Sequence, residues 1–393
     1  TKTFNYCVRR PRGYKAADRK HPDRRYPLVI TLHRQVVNKR HDAFKGDQGL
    51  FMRQRGRQPM YEYWKENPAR DEVILVAPTG VPLGYRFQRR VGEDLDEMWR
   101  SLWHAMHRFR VDWNRIFIEV EGPALRLACQ QPFFFAAGFI VRGGEMEPLD
   151  FYLFENLNGV PLFYIGDEAR WEKIQQPVAE ALKKSYAAAG RAENLRIHRS
   201  RRDRQGALKG PLDEVAAFVR GTRRMRWPKK ITWRFPDRNT VAPIPFEIGK
   251  YETEHDPKIA PEKTTGRMVL EAKTATYREG DEERPYTRIE VRITEAEELK
   301  LYLHDGFVPL EQPVSVVVNG QEVLKRQLIR RNLDYFMNEI VASRWFMVPF
   351  VAEITVSFPF KRQREPEEKP EEKPAEKKTA AEEEKKTATE KGK

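Results

Sequence analysis

The chain has 393 residues, of which 40% are hydrophobic and 11% aromatic, and it carries a formal net charge of +14. At about 150 residues per domain, this length predicts two or three domains, and the hydrophobic content excludes a wholly disordered chain. The longest apolar run, residues 133–141, is far shorter than the about 20 residues of a membrane-spanning helix. Two cysteines exclude a disulfide framework and a cysteine-based zinc site.

The first two thirds of the sequence alternate apolar runs with amphipathic stretches of helical length. The predicted strands are residues 26–33, 73–77, 116–120, 138–141, 160–165 and 195–198. The predicted helices are 94–109 and 177–189, with a helix end at 61–67 and a further helix beginning at 124. Apolar strands separated by helices predict a mainly parallel sheet with helices on both faces, so we assign residues 1–222 to an α/β domain.

After residue 222 the pattern changes to alternating and β-branched segments. Strands are predicted at residues 230–235, 267–277, 287–293, 299–303, 314–318 and 351–358, with one helix at 328–342. Asn319-Gly320 is the strongest hairpin signal in the chain. We therefore predict a small β-rich, sandwich-like domain at 223–360. Residues 361–393 carry 11 basic and 10 acidic residues and hardly any large apolar ones, which predicts a disordered tail.

Several segments of the α/β region resemble α/β-hydrolases of the esterase and prolyl-oligopeptidase-like bacterial branch. Residues 26–33 resemble the strand before the oxyanion loop, 111–118 the stretch before the nucleophile elbow, and 160–167 the strand that delivers the catalytic acid. The resemblance covers about residues 4–222, and the β-rich remainder resembles an appendage of some bacterial members. It implies an α/β-hydrolase-like fold, which is known for a G-x-S-x-G turn that presents a serine nucleophile.

The catalytic motif of that family is missing from this sequence. Gly122 stands at the nucleophile position, because the elbow pentad falls on Val120, Glu121, Gly122, Pro123 and Ala124. The oxyanion loop, residues 34–37, has no glycine, the acid position is Ala169, and the segment 204–208 lacks the expected histidine. Covalent acyl transfer needs these groups as a unit, so the first hypothesis is a catalytically degenerate protein that serves as a binding or scaffold module.

A working hydrolase with an unorthodox site is the second hypothesis. It would use Glu121 or Asp167 as the carboxylate and His33 or His198 as the base. The alternative for Glu119 and Glu121, which flank Val120, is a strand end whose carboxylates are neutralised by nearby arginines.

A metal site on the helix 94–109 is the weaker alternative. His104 and His107 lie three residues apart there, but no H-E-x-x-H spacing exists and a third ligand is missing. We therefore predict no metal and no cofactor.

An anion-binding surface is the third hypothesis. Residues 191–234 hold 14 basic residues against four acidic ones, and arginine forks suit phosphates and carboxylates, so an acidic partner or a nucleic acid is a candidate ligand. The alternative is that these arginines pair with acids elsewhere or bridge the two domains. The candidate anion-binding residues are Arg34, Arg199, Arg201, Arg202, Arg204, Arg223 and Arg224.

The sequence identifies neither a partner nor an oligomeric state. For a scaffold module the expected partner is another protein. The N-terminus has neither an initiator Met nor a signal-peptide core, which is consistent with trimming. We therefore expect a soluble chain, and leave its compartment open between the cytoplasm and export.

Overall fold

The computed structural model describes two regions of sheet structure. The described residues are 6–15, 23–32, 64, 66–78, 91–122, 125–126, 129, 136–157, 160–201, 210–224, 230–235, 246–251, 266–333 and 351–359. The tail predicted at 361–393 lies outside these ranges. Within them, the chain forms one sheet of seven strands, one of five and one of three.

The seven-stranded sheet occupies the first half of the chain. Its strands are β1 Tyr6–Arg9, β2 Tyr26–Leu32, β3 Ile74–Pro78, β4 Val111–Glu121, β5 Gly138–Arg142, β6 Leu162–Asp167 and β7 Leu195–Ser200. Their order is β1-β3-β2-β4-β5-β6-β7, with β1 antiparallel to β3 and all other pairs parallel. Strands β2, β3, β5 and β6 are buried along their whole length, as expected for a parallel sheet that is covered on both faces. The predicted α/β class is confirmed.

Helices cover both faces of this sheet. Their bounds are α1 Val91–Arg108, α2 Gln176–Ala188 and α3 Leu212–Gly221, and a 3-10 helix spans Pro148–Leu157. On β4, Ile118 faces the side of α1 and α2, whereas Phe117 faces α3. Helix α3 lies so close to β5 that a Cβ atom on Gly138 would be 2.8 Å from the Phe218 ring. Only glycine fits there.

The second half of the chain is β-rich. Its strands are β8 Lys230–Phe235, β9 Phe246–Tyr251, β10 Gly266–Glu279, β11 Glu282–Ile293, β12 Ala296–Leu303, β13 Val314–Val318, β14 Gln321–Gln327 and β15 Ala352–Ser357. They form a five-stranded sheet, β14-β13-β11-β10-β8, and a three-stranded sheet, β15-β12-β9. Side chains of both sheets, such as Leu270 and Leu301, share one buried hydrophobic cluster, which is the arrangement of a sandwich core.

The predicted hairpin at Asn319-Gly320 is present between β13 and β14. Both residues have a positive φ, 51° and 89°, as a two-residue type I′ turn requires. The Asn319 side chain also accepts a hydrogen bond from the Ile293 N–H at 2.9 Å and donates one to the Ile293 carbonyl at 2.9 Å. The turn is therefore tied to the end of β11.

The helix predicted at 328–342 does not begin at Leu328. Residues 328–332 are not helical, and the Asn332 N–H donates to the Val351 carbonyl at 2.7 Å. Helical spacing of apolar residues is therefore overridden here by a backbone bond to the segment before β15. Leu333 is helical, and 334–342 lies outside the described residues.

The β-rich region is attached to the α/β region through Glu155 and Asn156. The Asn156 amide donates to the carbonyls of Cys129 at 2.9 Å and Arg234 at 3.0 Å, and its oxygen accepts from the Arg234 N–H at 2.6 Å. The Glu155 carboxylate accepts from the side chains of Arg234 at 3.2 Å and Arg267 at 2.8 Å. We call these two residues the joint.

Candidate functional site at the carboxyl ends of the central strands

The turn after β4 has the position that the sequence indicates for a nucleophile elbow. Gly122 follows β4 directly with a φ of 60°, in the left-handed region that favours glycine. Its N–H donates to the Arg142 carbonyl at 3.1 Å, and its own carbonyl accepts from Leu125 at 3.3 Å and Glu145 at 3.1 Å. Helical structure is present at Leu125. The turn therefore joins strand to helix without a side chain at its apex.

The other pentad positions provide less information. Val120 is fully buried in the core on the α1 and α2 face. Glu121 ends β4, but its side chain, like Pro123 and Ala124, lies outside what the structure describes. The use of Glu121 as a catalytic carboxylate therefore stays a prediction.

The surroundings of the Gly122 turn are densely filled. Gly144 has no room for a side chain, because a Cβ atom there would lie 2.7 Å from Val141 and 3.0 Å from Tyr164. The Tyr164 hydroxyl donates to the Gly144 carbonyl at 2.9 Å, and burial raises the pKa of this phenol. Beside the turn, the Arg170 guanidinium pairs with the Glu145 carboxylate at 2.5 Å. The polar groups around the turn are therefore hydrogen bonded or ion paired with one another.

Asp167, at the end of β6, acts as a helix cap. Its side chain is almost fully buried and accepts from the Ala169 N–H at 3.1 Å, which starts the 3-10 helix Glu168–Arg170. Its own N–H donates to the Gln175 side chain. The neighbouring Glu168 carboxylate is exposed and pairs with Arg201 at 2.6 Å, a hydrogen bond that lowers the pKa of Glu168.

Among the described residues, no hydrogen bond or ion pair joins His198 to Asp167. They lie on adjacent parallel strands, two residues apart in register, since the strand partner of His198 is Ile165 and the partner of Asp167 is Ser200. Within the described part of the chain, the His198 ring lies 3.9 Å from the Glu214 carboxylate of α3. The other proposed base, His33, lies outside the described residues.

An aromatic ring fills the space beside the end of β6. A Cβ atom on Gly166 would lie 2.3 Å from the Trp171 ring, so only glycine allows the ring to lie there. The guanidinium of Arg199 covers the same ring at 4.3 Å from its centre. Arg199, one of the proposed anion-binding residues, is thus a partner of Trp171.

The Glu119 carboxylate is buried in a hydrogen-bond network and pairs with an arginine, as one of the two alternatives for this residue predicted. Its side chain is completely inaccessible, and it accepts hydrogen bonds from Thr31 at 2.7 Å and Trp64 at 2.9 Å. The Arg142 guanidinium donates to its other oxygen at 2.5 Å. This is the arrangement of a structural carboxylate neutralised by an arginine. The sequence signals for this network were two polar residues within or next to apolar runs, Thr31 and Arg142.

Several candidate arginines have partners within the chain. Arg201 pairs with Glu168 as above, and Arg223 pairs with Asp112 at 3.4 Å. The backbone N–H of Arg224 donates to the Asn114 carbonyl at 2.8 Å, a bond that does not involve its guanidinium. Arg34, Arg202 and Arg204 lie outside the described residues.

The histidines of α1 have local partners. His104 is hydrogen bonded to the Tyr6 hydroxyl, and the His107 ring stacks on Trp103 with 4.2 Å between the ring centres. In the part of the chain that the structure describes, no group of three or more His, Cys, Asp or Glu side chains could hold a metal ion. None of the described helices is both long and apolar enough to cross a membrane.

The two thiols should differ strongly in reactivity. Cys129 is completely buried, and burial raises its pKa, whereas Cys7 on β1 is half-buried. Because the thiolate is the reactive species, we expect Cys129 to react with a disulfide reagent at least about 100-fold more slowly than Cys7 does. Titration of the native chain, with a Cys7→Ser variant as control, measures this difference. Equal rates for both thiols in native protein would contradict the packing around Cys129.

Comparison with solved structures gives likenesses to esterases. The chain is similar to a thermostable esterase, with 16% identity, a TM-score of 0.38, and coverage of 56% of this chain and 59% of that one. It is also similar to an esterase from the Planctomycetes species Thermogutta terrifontis, with 12% identity, a TM-score of 0.34, and coverage of 50% and 76%. The chain thus spans less than two thirds of the thermostable esterase. No protein-family model matches the sequence, and no curated protein matches it. Likenesses of this size do not identify the family or the activity of the chain.

Proposed function

We propose that this chain is a catalytically degenerate α/β-hydrolase-like protein that acts as a binding or scaffold module. The observation that carries the proposal is Gly122, which occupies the strand-to-helix turn where hydrolases of this fold present a nucleophile. A glycine offers no nucleophilic atom at that place.

The polar groups around this turn support the same conclusion. Serine-type acyl transfer needs a base beside the nucleophile and an acid that orients the base. Asp167 caps a helix, Glu119 is saturated by three donors, and His198 faces Glu214. Recruiting either carboxylate would leave buried donors without partners, which costs about 1–3 kcal/mol for each group.

We further propose that the binding module has two domains, at residues 1–222 and 223–360. The hydrogen bonds of Asn156 and the ion pairs of Glu155 favour a firm attachment between them. A fixed arrangement of this kind suits a scaffold, because it presents two surfaces to a partner without paying the entropy of ordering them. The expected partner is a protein.

Hydrolysis of short-chain p-nitrophenyl esters tests the proposal. We expect the purified chain to show no turnover above buffer, because the described site holds no nucleophile with an adjacent base. A Glu121→Gln variant serves as the control for contaminating esterase, whose activity would be equal in both preparations. Turnover that the variant loses would overturn the proposal and establish the second hypothesis, a rewired hydrolase that uses Glu121.

A further inference from the structure

A groove of about 560 Å³ lies on the outer face of the five-stranded sheet. We call it the arginine groove and define it by the residues that the argument uses, which are Arg267, Val269, Arg288, Glu290, Arg292 and Val317. It belongs to the β-rich region and is separate from the turn at Gly122.

Strand register brings these residues together. Residues on β10 and β11 alternate between the two faces, so that Leu270 and Val291 enter the core while their neighbours point outwards. Val269 lies opposite Arg292 on the adjacent strand, and Glu290 lies opposite Val317. The sheet therefore sets apolar and charged side chains next to one another on one exposed surface.

The groove has an excess of positive charge. Glu290 accepts from Arg288 at 2.8 Å, and this hydrogen bond lowers the pKa of the carboxyl, so Glu290 is ionised near neutral pH. The Arg267 guanidinium also forms an ion pair with the Glu155 carboxylate of the joint, at 2.8 Å. Arg292 is exposed, and no carboxylate among the described residues pairs with it. Three guanidinium groups thus line a groove that contains one carboxylate.

We propose that the arginine groove binds a small organic phosphate, with Arg292 as the principal contact of the phosphate group. The planar guanidinium fork matches phosphate oxygens in pairs, and a phosphate monoester carries close to two negative charges at neutral pH. Val269, which is half-buried, gives the organic part an apolar surface, and Val317, itself only 6% exposed, adds its edge. The volume falls within the roughly 300–1,000 Å³ of typical small-molecule sites. The inference does not rest on the proposed function, since it concerns another region of the chain.

Isothermal titration calorimetry of the full chain tests this inference with adenosine monophosphate as the probe. We expect binding by the wild type, displacement by inorganic phosphate, and no binding of uncharged adenosine. The Arg292→Gln variant should bind adenosine monophosphate at least about tenfold more weakly, because it lacks one charge-assisted hydrogen-bonding group. Because Arg292 is exposed, this variant should melt at the wild-type temperature.

The matched control is Arg278→Gln, which removes the same charge from an exposed arginine on β10, beyond the residues that line the groove. It should bind adenosine monophosphate like the wild type. Equal weakening in both variants would overturn the proposal, because it would show attraction by net charge alone. Absence of binding by the wild type, or equal binding of adenosine, would overturn it as well. Binding of a glutamate-rich peptide but not of the nucleotide would overturn the proposal and indicate an acidic protein partner instead.

Discussion

The free energy of unfolding of a Glu119→Gln variant should be about 3–5 kcal/mol lower than that of the wild type. The substitution keeps the shape of the side chain and removes its charge. Arg142, whose side chain is only 6% exposed, then loses the carboxylate that neutralises it at 2.5 Å. Taking a carboxylate away from a buried guanidinium is costly because the interior cannot replace the water that the ion gave up. Urea denaturation followed by tryptophan fluorescence measures the change.

Two controls separate this effect from a general loss of packing. Glu72→Gln breaks the half-exposed pair with Arg220, which is also 2.5 Å long, and should cost less than about 1 kcal/mol. The double variant Glu119→Gln with Arg142→Met should recover part of the loss, because it removes both charges while the glutamine oxygen still accepts from Thr31 and Trp64. If Glu119→Gln were as stable as the wild type, Glu119 would not be a structural carboxylate and would return as a catalytic candidate.

The strands were predictable because their signals are local. The apolar run of β2 and the alternation of β8 were each found to within one residue, and Asn319-Gly320 identified its hairpin from two residues. In each case the residues that carry the signal are neighbours in sequence. A pattern of period two then suffices to give both the element and the face it buries.

Elements with weaker patterns were not predicted. No helix was assigned to α3 and no strand to β1 or β9, and the 3-10 helix Pro148–Leu157 was also missed. Helix α3 spans only 10 residues and follows a strongly basic stretch, so its apolar face is short. The Pro148–Leu157 segment has little amphipathic character, because most of its side chains are apolar.

The position of the Gly122 turn was predictable from the sequence, whereas the contacts of the side chains around it were not. The turn at Gly122 was located from the family resemblance, and it lies directly after β4. The partners of Glu119 could not be found, because Thr31 and Trp64 are 88 and 55 residues away in sequence. Pairs of this separation are set by the order and register of the strands, which no local pattern contains.

An Asn156→Leu variant should weaken the attachment of the β-rich region by about 2–4 kcal/mol, because three hydrogen bonds from the Asn156 side chain to buried backbone groups are lost. The buried Asn156 side chain bonds both the N–H and the carbonyl of Arg234, much as a neighbouring strand would. Leucine has a similar volume but no polar atoms. The N–H of Arg234 and the carbonyl of Cys129 would then lose their side-chain partner.

Hydrogen exchange of the β8 amides measures this loss. The melting temperature of each variant shows whether a change in exchange is local or comes from a loss of stability of the whole chain. Exchange at Arg234 should accelerate by about 30-fold or more, since 2 kcal/mol corresponds to roughly that factor in an opening equilibrium. The control Arg267→Gln removes only the more exposed partner of Glu155, which keeps its bond to Arg234, so it should change exchange by less than about fivefold. Unchanged protection in Asn156→Leu would mean that the joint does not hold the two regions together. Their attachment would then depend on the remaining contacts between β8 and the 3-10 helix Pro148–Leu157, and a scaffold with a fixed geometry would lose its structural basis.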